Sequence, residues 1–370
     1  NRSVTFAKGT VGRVDADEIL ARRMTYLLLT RTGESPADVA EWFAALQAQD
    51  LGSGKWSIGV RTGQPESEVD ASIAAGEILR TWPMRGTIHF VHPANARWLL
   101  DLTGRRAFTG VKRRWENLGI DQQTVYRAAD VLQEYLQDGP RTRSACRSAL
   151  EQAGINTDQV AYHLLWHTSQ LGISCIGPNE GSEQTFVLLD QWAPEQRTPQ
   201  DPLATLARMY FRSHGPTTLK DFQGWTGLTM SSARNGVLAA DLRSDGDLFY
   251  VDADIDPIPE ALLLPGFDEY LLGFKDRSLF MRPQDMQAVV PGGNGMFRAT
   301  AVHRGRVLGT WSKRVLSKKV VITVTPLGSV NASTRSAFEA PLADYAHYLG
   351  KAAELHWSGL RSQPTAAAGG

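Results

Sequence analysis

The sequence predicts an α+β chain: three tandem winged-helix units, then a C-terminal α+β domain with a basic β-hairpin. Three observations carry this prediction. A block of amphipathic helix, glycine, proline-containing turn and second short helix recurs three times. Each block is followed by a third helix and a strand-rich piece, and the Asp245-Gly246-Asp247 turn in the last of these is a strong hairpin signal. From Pro257 onward the helical pattern gives way to short apolar or β-branched runs broken by glycine and proline.

The first winged helix is expected over residues 1–93. Its helix from Ile19 to Thr32 is followed by Gly33-Glu34-Ser35-Pro36 and a second helix into Gln47. Ser35 is the N-cap and Pro36 the first helical residue. Val39, Trp42, Phe43 and Leu46 repeat at i, i+3, i+4, i+7 and mark one buried face. A third helix from Glu66 to Ala75 and a strand over Leu79 to Val91 complete the unit. Residues 94–120 read as an arginine-rich helical linker. Residues 121–198 repeat the pattern, with helices Val125 to Gln137, Thr142 to Ala153 and Thr157 to Gln170 and strands between Ile173 and Leu189. Residues 199–256 repeat it again, with helices Leu203 to Ser213, Thr218 to Trp225 and Ser231 to Ala240. Thr142 and Thr217 can cap their helices through the hydroxyl. The C-terminal domain takes residues 257–355. Tyr270 to Phe274 is strand-like there, Phe297 to Val302 and Val307 to Trp311 form a hairpin with His303 to Arg306 at its tip, and Ala332 to Ala352 is a helix. Residues 356–370 form a tail, of which Ala366 to Gly370 is expected to fray.

Composition narrows the function. A chain of 370 residues with 42% hydrophobic and 21% charged residues is that of a multidomain soluble protein. No apolar run reaches the length of a membrane span, and no signal pattern opens the chain, so a cytoplasmic, nucleoid-associated location is expected. Cys146 and Cys175 have no metal or redox spacing, and the eight histidines form no metal motif, so no metal and no cofactor is expected. The absence of a long heptad seam points to a monomer. The formal net charge of zero argues against nucleic-acid binding, but distribution matters more than the sum. Arg105, Arg106, Lys112, Arg113 and Arg114 form one basic cluster, and Arg304, Arg306, Lys313, Arg314, Lys318 and Lys319 another.

The stretch Leu46-Gln47-Ala48-Gln49-Asp50 runs into glycines 52 and 54. A continuing helix would point the two amides roughly 200° apart, whereas an extended backbone puts both on one side. The glycines favour the extended form. Polar caps at a helix end are the ordinary alternative. About thirty residues on comes Leu79-Arg80-Thr81-Trp82-Pro83-Met84-Arg85-Gly86-Thr87-Ile88-His89-Phe90-Val91. Treated as one strand, it has Trp82, Met84, Ile88 and Phe90 on a core face and Arg85, Thr87 and His89 on a polar one. Arg85 then either forks onto a carboxylate such as Asp50 or faces a ligand beside the glutamines. Together with Leu264 to Leu271 and Val290 to Phe297, these stretches resemble the AlkZ/YcaQ family of bacterial DNA glycosylases.

The resemblance implies tandem winged helices and a Gln-aliphatic-Gln active site, here Gln47 and Gln49. It implies a monofunctional glycosylase acting on N7-alkylated purines in double-stranded DNA, including bulky adducts and interstrand crosslinks, in repair or in self-resistance to an alkylating toxin. The chemistry fits amides. A neutral amide is no general base, but it can orient a water and set a carbonyl dipole beside developing positive charge. N7 alkylation already makes the base cationic, so it departs without an acid. An open groove suits a crosslinked base better than the closed pocket of base-flipping enzymes. Asp50, Arg85, Thr87 and His89 are expected to support the site. Lys55, His303, Arg304, Arg306, Lys313 and Arg314 are the expected DNA contacts. Asp268 and Glu269 are expected to pair with basic residues such as Lys275 or Arg277. A non-catalytic winged-helix regulator, or a resistance protein that binds lesions without turnover, is the competing reading.

Overall fold

Ser35-Pro36 starts a helix by a reciprocal cap: the Ser35 hydroxyl accepts the Asp38 amide, and the Asp38 carboxylate accepts the Ser35 amide. The computed structural model describes residues 15–30, 33–104, 115, 117–293 and 295–359. The helix is α2 (Pro36–Phe43), and α1 (Ala16–Tyr26) precedes it. It ends before Leu46, because Ala44 turns to φ +62° and the chain leaves as the strand β1 (Leu46–Gln47). Next comes α3 (Leu51–Thr62), which the sequence pattern does not announce. Its glycines hide it, and two of them are there for close approach. A Cβ on Gly59 would lie 2.6 Å from the Tyr348 ring, and one on Gly54 3.0 Å from the Phe90 ring. The helix α4 (Glu66–Ala74) and the hairpin of β2 (Leu79–Met84) and β3 (Thr87–Val91) follow.

After α5 (Ala96–Leu102) come α6 (Gln122–Tyr135), β4 (Arg141–Thr142), α7 (Arg143–Gln152), α8 (Ala161–Gln170), β5 (Ser174–Ile176) and β6 (Thr185–Leu188). Then come α9 (Pro202–His214), β7 (Thr217–Thr218), α10 (Leu219–Thr226), α11 (Met230–Ala239), β8 (Arg243–Asp245) and β9 (Leu248–Tyr250). All three stretches share one order: helix, two-residue strand, two helices, hairpin. Each short strand lies beside the last strand of its hairpin, giving β1-β3-β2, β4-β6-β5 and β7-β9-β8. In the first stretch this order starts at α2, so α1 stands outside it. Arg23 of α1 instead donates to the Pro216 carbonyl at 2.8 Å, beside β7. Strands β2 and β5 pair, so the first two stretches share a six-stranded sheet. The arginine cluster from Arg105 to Arg114 and the tail from residue 360 lie outside the described residues.

The C-terminal part is a five-stranded sheet in the order β10 (Ala261–Leu264), β11 (Thr300–His303), β12 (Arg306–Val315), β13 (Lys319–Pro326) and β14 (Ala352–Trp357). Strands β13 and β14 are parallel, joined by a crossover through α12 (Glu339–Leu349). Two local expectations are corrected. Residues Glu269–Leu272 form a helical turn capped by Asp268 rather than a strand, and the expected helix over Ala332 to Ala352 is broken near Ala337 and ends before β14. Strand β14 reaches Trp357, two residues into the stretch assigned as tail.

This sheet docks under α3. The Trp56 indole donates to the Leu263 carbonyl at 2.7 Å, and its ring packs edge-on against Tyr345. Arg61 and Asp268, both buried, form a two-pronged pair at 2.8 and 2.9 Å. The Asp268 and Glu269 partners are therefore Arg61 and His214, not Lys275 or Arg277, whose side chains bond Gln223 and the Leu271 carbonyl. Among the described residues no helix is long and apolar enough to cross a membrane.

Candidate active site

Strand β1 starts the motif extended, as expected, but the turn at Ala44 and the pairing with β3 hold it so, while Gly52 and Gly54 lie in α3. Leu46 pairs with Phe90 and Gln47 with His89, and the Ala48 amide donates to the Ile88 carbonyl. Gln47 is half-buried, and Gln49 and Asp50 are exposed. Both amide carbonyls are pinned by backbone donors. The Gln47 Oε1 accepts the Gln49 amide at 2.6 Å, and the Gln49 Oε1 accepts the Ile88 amide at 3.1 Å. Those donors settle which end of each amide is oxygen. Each carbonyl keeps a second lone pair, and each NH2 has two protons to give. Asp50 is the N-cap of α3, its carboxylate accepting the Ser53 amide at 2.7 Å.

Behind the amides stands the β2–β3 hairpin, not one continuous strand. Arg85-Gly86 forms its turn with φ of +55° and +71°, the left-handed pair of a tight hairpin. Thr87 is partly buried, and its carbonyl lies 2.9 Å from the His89 Nδ1. The other ring nitrogen of His89 faces the Arg85 guanidinium at 3.4 Å, so Arg85 engages His89 rather than Asp50. His89 is fully buried, and burial, aided by the Arg85 charge, pushes its pKa down to about 4. The imidazole is thus neutral at physiological pH. Its Nδ1–H donates to the Thr87 carbonyl and its Nε2 accepts from Arg85. It has no proton to give a leaving base.

The structure places a buried polar group here that sequence spacing does not reveal. The Glu269 Oε2 accepts the Trp225 indole N–H at 2.8 Å and faces His214 at 3.2 Å, all three side chains being buried. Its negative charge reaches both Arg85 and His89. The sequence signal is the adjacent acid pair Asp268-Glu269 after Pro-Gly-Phe, which does not name its partners.

A family model described as DNA glycosylase AlkZ-like matches residues 40–348. The chain belongs to the AlkZ-like DNA glycosylase family. The interstrand DNA cross-link repair glycosylase of Streptomyces sahachiroi is 25% identical over 343 residues, covering 84% of this chain and 90% of that protein. The solved structure of Streptomyces sahachiroi DNA glycosylase AlkZ aligns with a TM-score of 0.77 at 24% identity, over 93% of this chain and 100% of that one. At that identity the likeness is one of fold.

The expected basic contacts of this AlkZ-like chain fall into two groups. Lys55 is held by Glu66 at 2.6 Å and Asp70 at 3.0 Å. His303 and Arg304 both face Glu260, at 3.3 and 3.0 Å, and Arg306 bonds the Leu279 carbonyl and approaches Asp17 at 3.4 Å. These four side chains are already engaged within the protein, Lys55, Arg304 and Arg306 by carboxylates. The Lys313 ammonium donates a hydrogen bond to the Tyr345 hydroxyl at 2.7 Å, and burial lowers its pKa against the pull of Glu66 and Asp50, which places it on the motif's side of the molecule. Arg314 is exposed and, among the described residues, has no hydrogen-bond or ion-pair partner.

Proposed function

We propose that the chain hydrolyses the N-glycosidic bond of N7-alkylated purines in duplex DNA, bulky adducts and interstrand crosslinks included. The supporting observation is the pair of pinned amides on the open edge of β1, backed by a histidine kept neutral by burial. Three stretches of one element order read as three winged helices presenting that edge to a duplex. The similarity to a cross-link repair glycosylase supports the substrate class. The C1′–N9 bond breaks with its electron pair going to the cationic base, which leaves neutral. Gln47 and Gln49 hold a water through carbonyl and NH2 and place a dipole beside the sugar cation. The water oxygen bonds C1′ and its proton passes to solvent at the exposed edge, where the Asp50 carboxylate is the nearest acceptor in sequence.

The same reading puts the DNA across the motif and the exposed tip between β12 and β13, where Arg314 and Lys318 have no partner among the described residues and Val315 is 49% exposed. The test is single-turnover incubation with N7-methylguanine duplex. Free base with an abasic site left behind is the expected product, and intact DNA would mean a non-catalytic binder. Gln47→Ala and Gln49→Ala should each slow release by at least about tenfold, or roughly 1.4 kcal/mol of barrier. Wild-type rates in both variants would remove the motif from the mechanism.

A further inference from the structure

Arg80 lies in β2 at the seam of the six-stranded sheet, paired with Phe90 on one side and Ile176 on the other. It is only 4% exposed, yet among the described residues its guanidinium has no hydrogen-bond or ion-pair partner, and its Nε is a buried donor left unused. Burial lowers its pKa to about 10, which still leaves the group cationic at neutral pH. A buried charge without a partner is among the costliest features a fold can keep. Among the described residues no counter-ion offsets it.

The side chain lines a cavity of about 580 Å³ between the first two winged-helix stretches. Leu51, which directly follows the Gln47 to Asp50 motif, lines the same cavity. So do Arg143, Arg147 and Glu183. Arg147 is compensated by Glu151 at 2.8 Å and Asp158 at 3.2 Å, and Glu183 is satisfied by the Ser144 amide and hydroxyl at 2.7 and 3.1 Å. Arg143 is exposed and has no side-chain partner among the described residues. Among the described residues, Arg80 and Arg143 are therefore the two lining cations without an ion-pair partner, while Glu183 is held by neutral donors of Ser144 rather than by a cation. A second cavity, lined by Glu34, Asp38, Glu41 and Asp254, carries the opposite sign.

We infer that the cavity beside Leu51 is a phosphate subsite, in which Arg80 and Arg143 bind one phosphodiester of the DNA engaged by the Gln47–Gln49 edge. The inference rests on the proposed DNA-glycosylase reading. A guanidinium offers up to five N–H donors in a planar fork that matches two phosphate oxygens. A phosphodiester entering here gives Arg80 both its missing hydrogen bonds and its missing counter-charge. Anchored one residue past the motif, it would fix the register of the strand against the two amides.

The test is a scan of single methylphosphonates, each neutralising one phosphate of a duplex carrying N7-methylguanine, against wild type, Arg80→Met and Arg143→Ala. One position near the lesion should weaken wild-type binding about tenfold and leave Arg80→Met almost unaffected by the same change. The salt slope of Arg80→Met should fall by about 0.9, one phosphate contact. Free Arg80→Met should melt at a higher temperature than wild type, because a charge without a partner has been removed; a merely structural arginine would do the reverse. The inference is overturned if no single methylphosphonate weakens wild type, if Arg80→Met stays as sensitive as wild type at every position, or if that variant is destabilised or unfolded. Failure of wild type to bind DNA or release base would instead overturn the functional reading beneath it.

Discussion

Strand β12 has a basic turn at each end, and the two turns have different fates. At one end Arg304-Gly305 is folded onto the protein. Glu260 takes His303 and Arg304, Asp17 lies by Arg306, the Tyr270 hydroxyl donates to the Gly305 carbonyl, and Leu20 leaves no room for a side chain at Gly305. At the other end Val315 and Leu316 are 49% and 37% exposed, and Arg314 and Lys318 have no partner among the described residues. The two turns look alike in sequence, each a short run with Arg or Lys. Counter-ions distinguish them. A matched charge holds the fold together, while an unmatched one is available to a phosphate.

That contrast is sharpest where the match is complete. Arg61 and Asp268 are both buried, and the charge and hydrogen bonds of Arg61 outweigh burial to hold the Asp268 carboxyl below its usual range. Arg61→Ala should cost about 3–5 kcal/mol by stranding a buried carboxylate. Chemical denaturation reads this, and a loss under 1 kcal/mol would break the rule that matched charges here are structural.

The free tip gives the next effect. Arg314→Ala with Lys318→Ala should weaken binding to all duplexes about tenfold or more and lower the salt slope by nearly two, without changing the melting temperature measurably. Unaltered affinity would leave this tip a solvated turn. The smallest effect belongs to the matched tip. Arg304→Ala with Arg306→Ala should leave duplex affinity within about twofold and lower the melting temperature slightly, exposed ion pairs being weak. A salt-slope loss as large as that of the free tip would show that Glu260 and Asp17 release their partners to DNA and would erase the contrast.

Much of this was legible in the sequence, because local chemistry encodes it. The Ser35 cap with Pro36 behind it, the three-helix order of the second and third stretches, the Asp-Gly turn and the extended glutamine motif all depend on residues a few positions apart. Helix α3 was hidden because Gly52, Gly54 and Gly59 weaken its pattern, the last two to admit Phe90 and Tyr348. Which charges are matched was not legible, since Glu260 and Arg304 are 44 residues apart and Asp17 and Arg306 are 289. Arg80 reads as one more strand residue until its missing partner is seen in three dimensions.

Base release as a function of pH tests the proposed chemistry most directly. His89, with a pKa of about 4 in the folded protein against about 6.5 unfolded, is neutral above pH 6 and cannot act as a general acid. Below that, the unfolded chain takes up a proton that the folded one refuses, so His89 costs stability as pH falls from about 6.5 toward 4, and rates are best compared above pH 6. Single-turnover release should be measured on matched duplexes carrying N7-methylguanine or uracil, from about pH 6 to 8.5. A nearly flat profile for N7-methylguanine, with uracil left intact, is the predicted result. Comparable excision of uracil, or a steep loss of activity toward high pH, would mean that a protonated group assists the leaving base and would contradict the amide-only site.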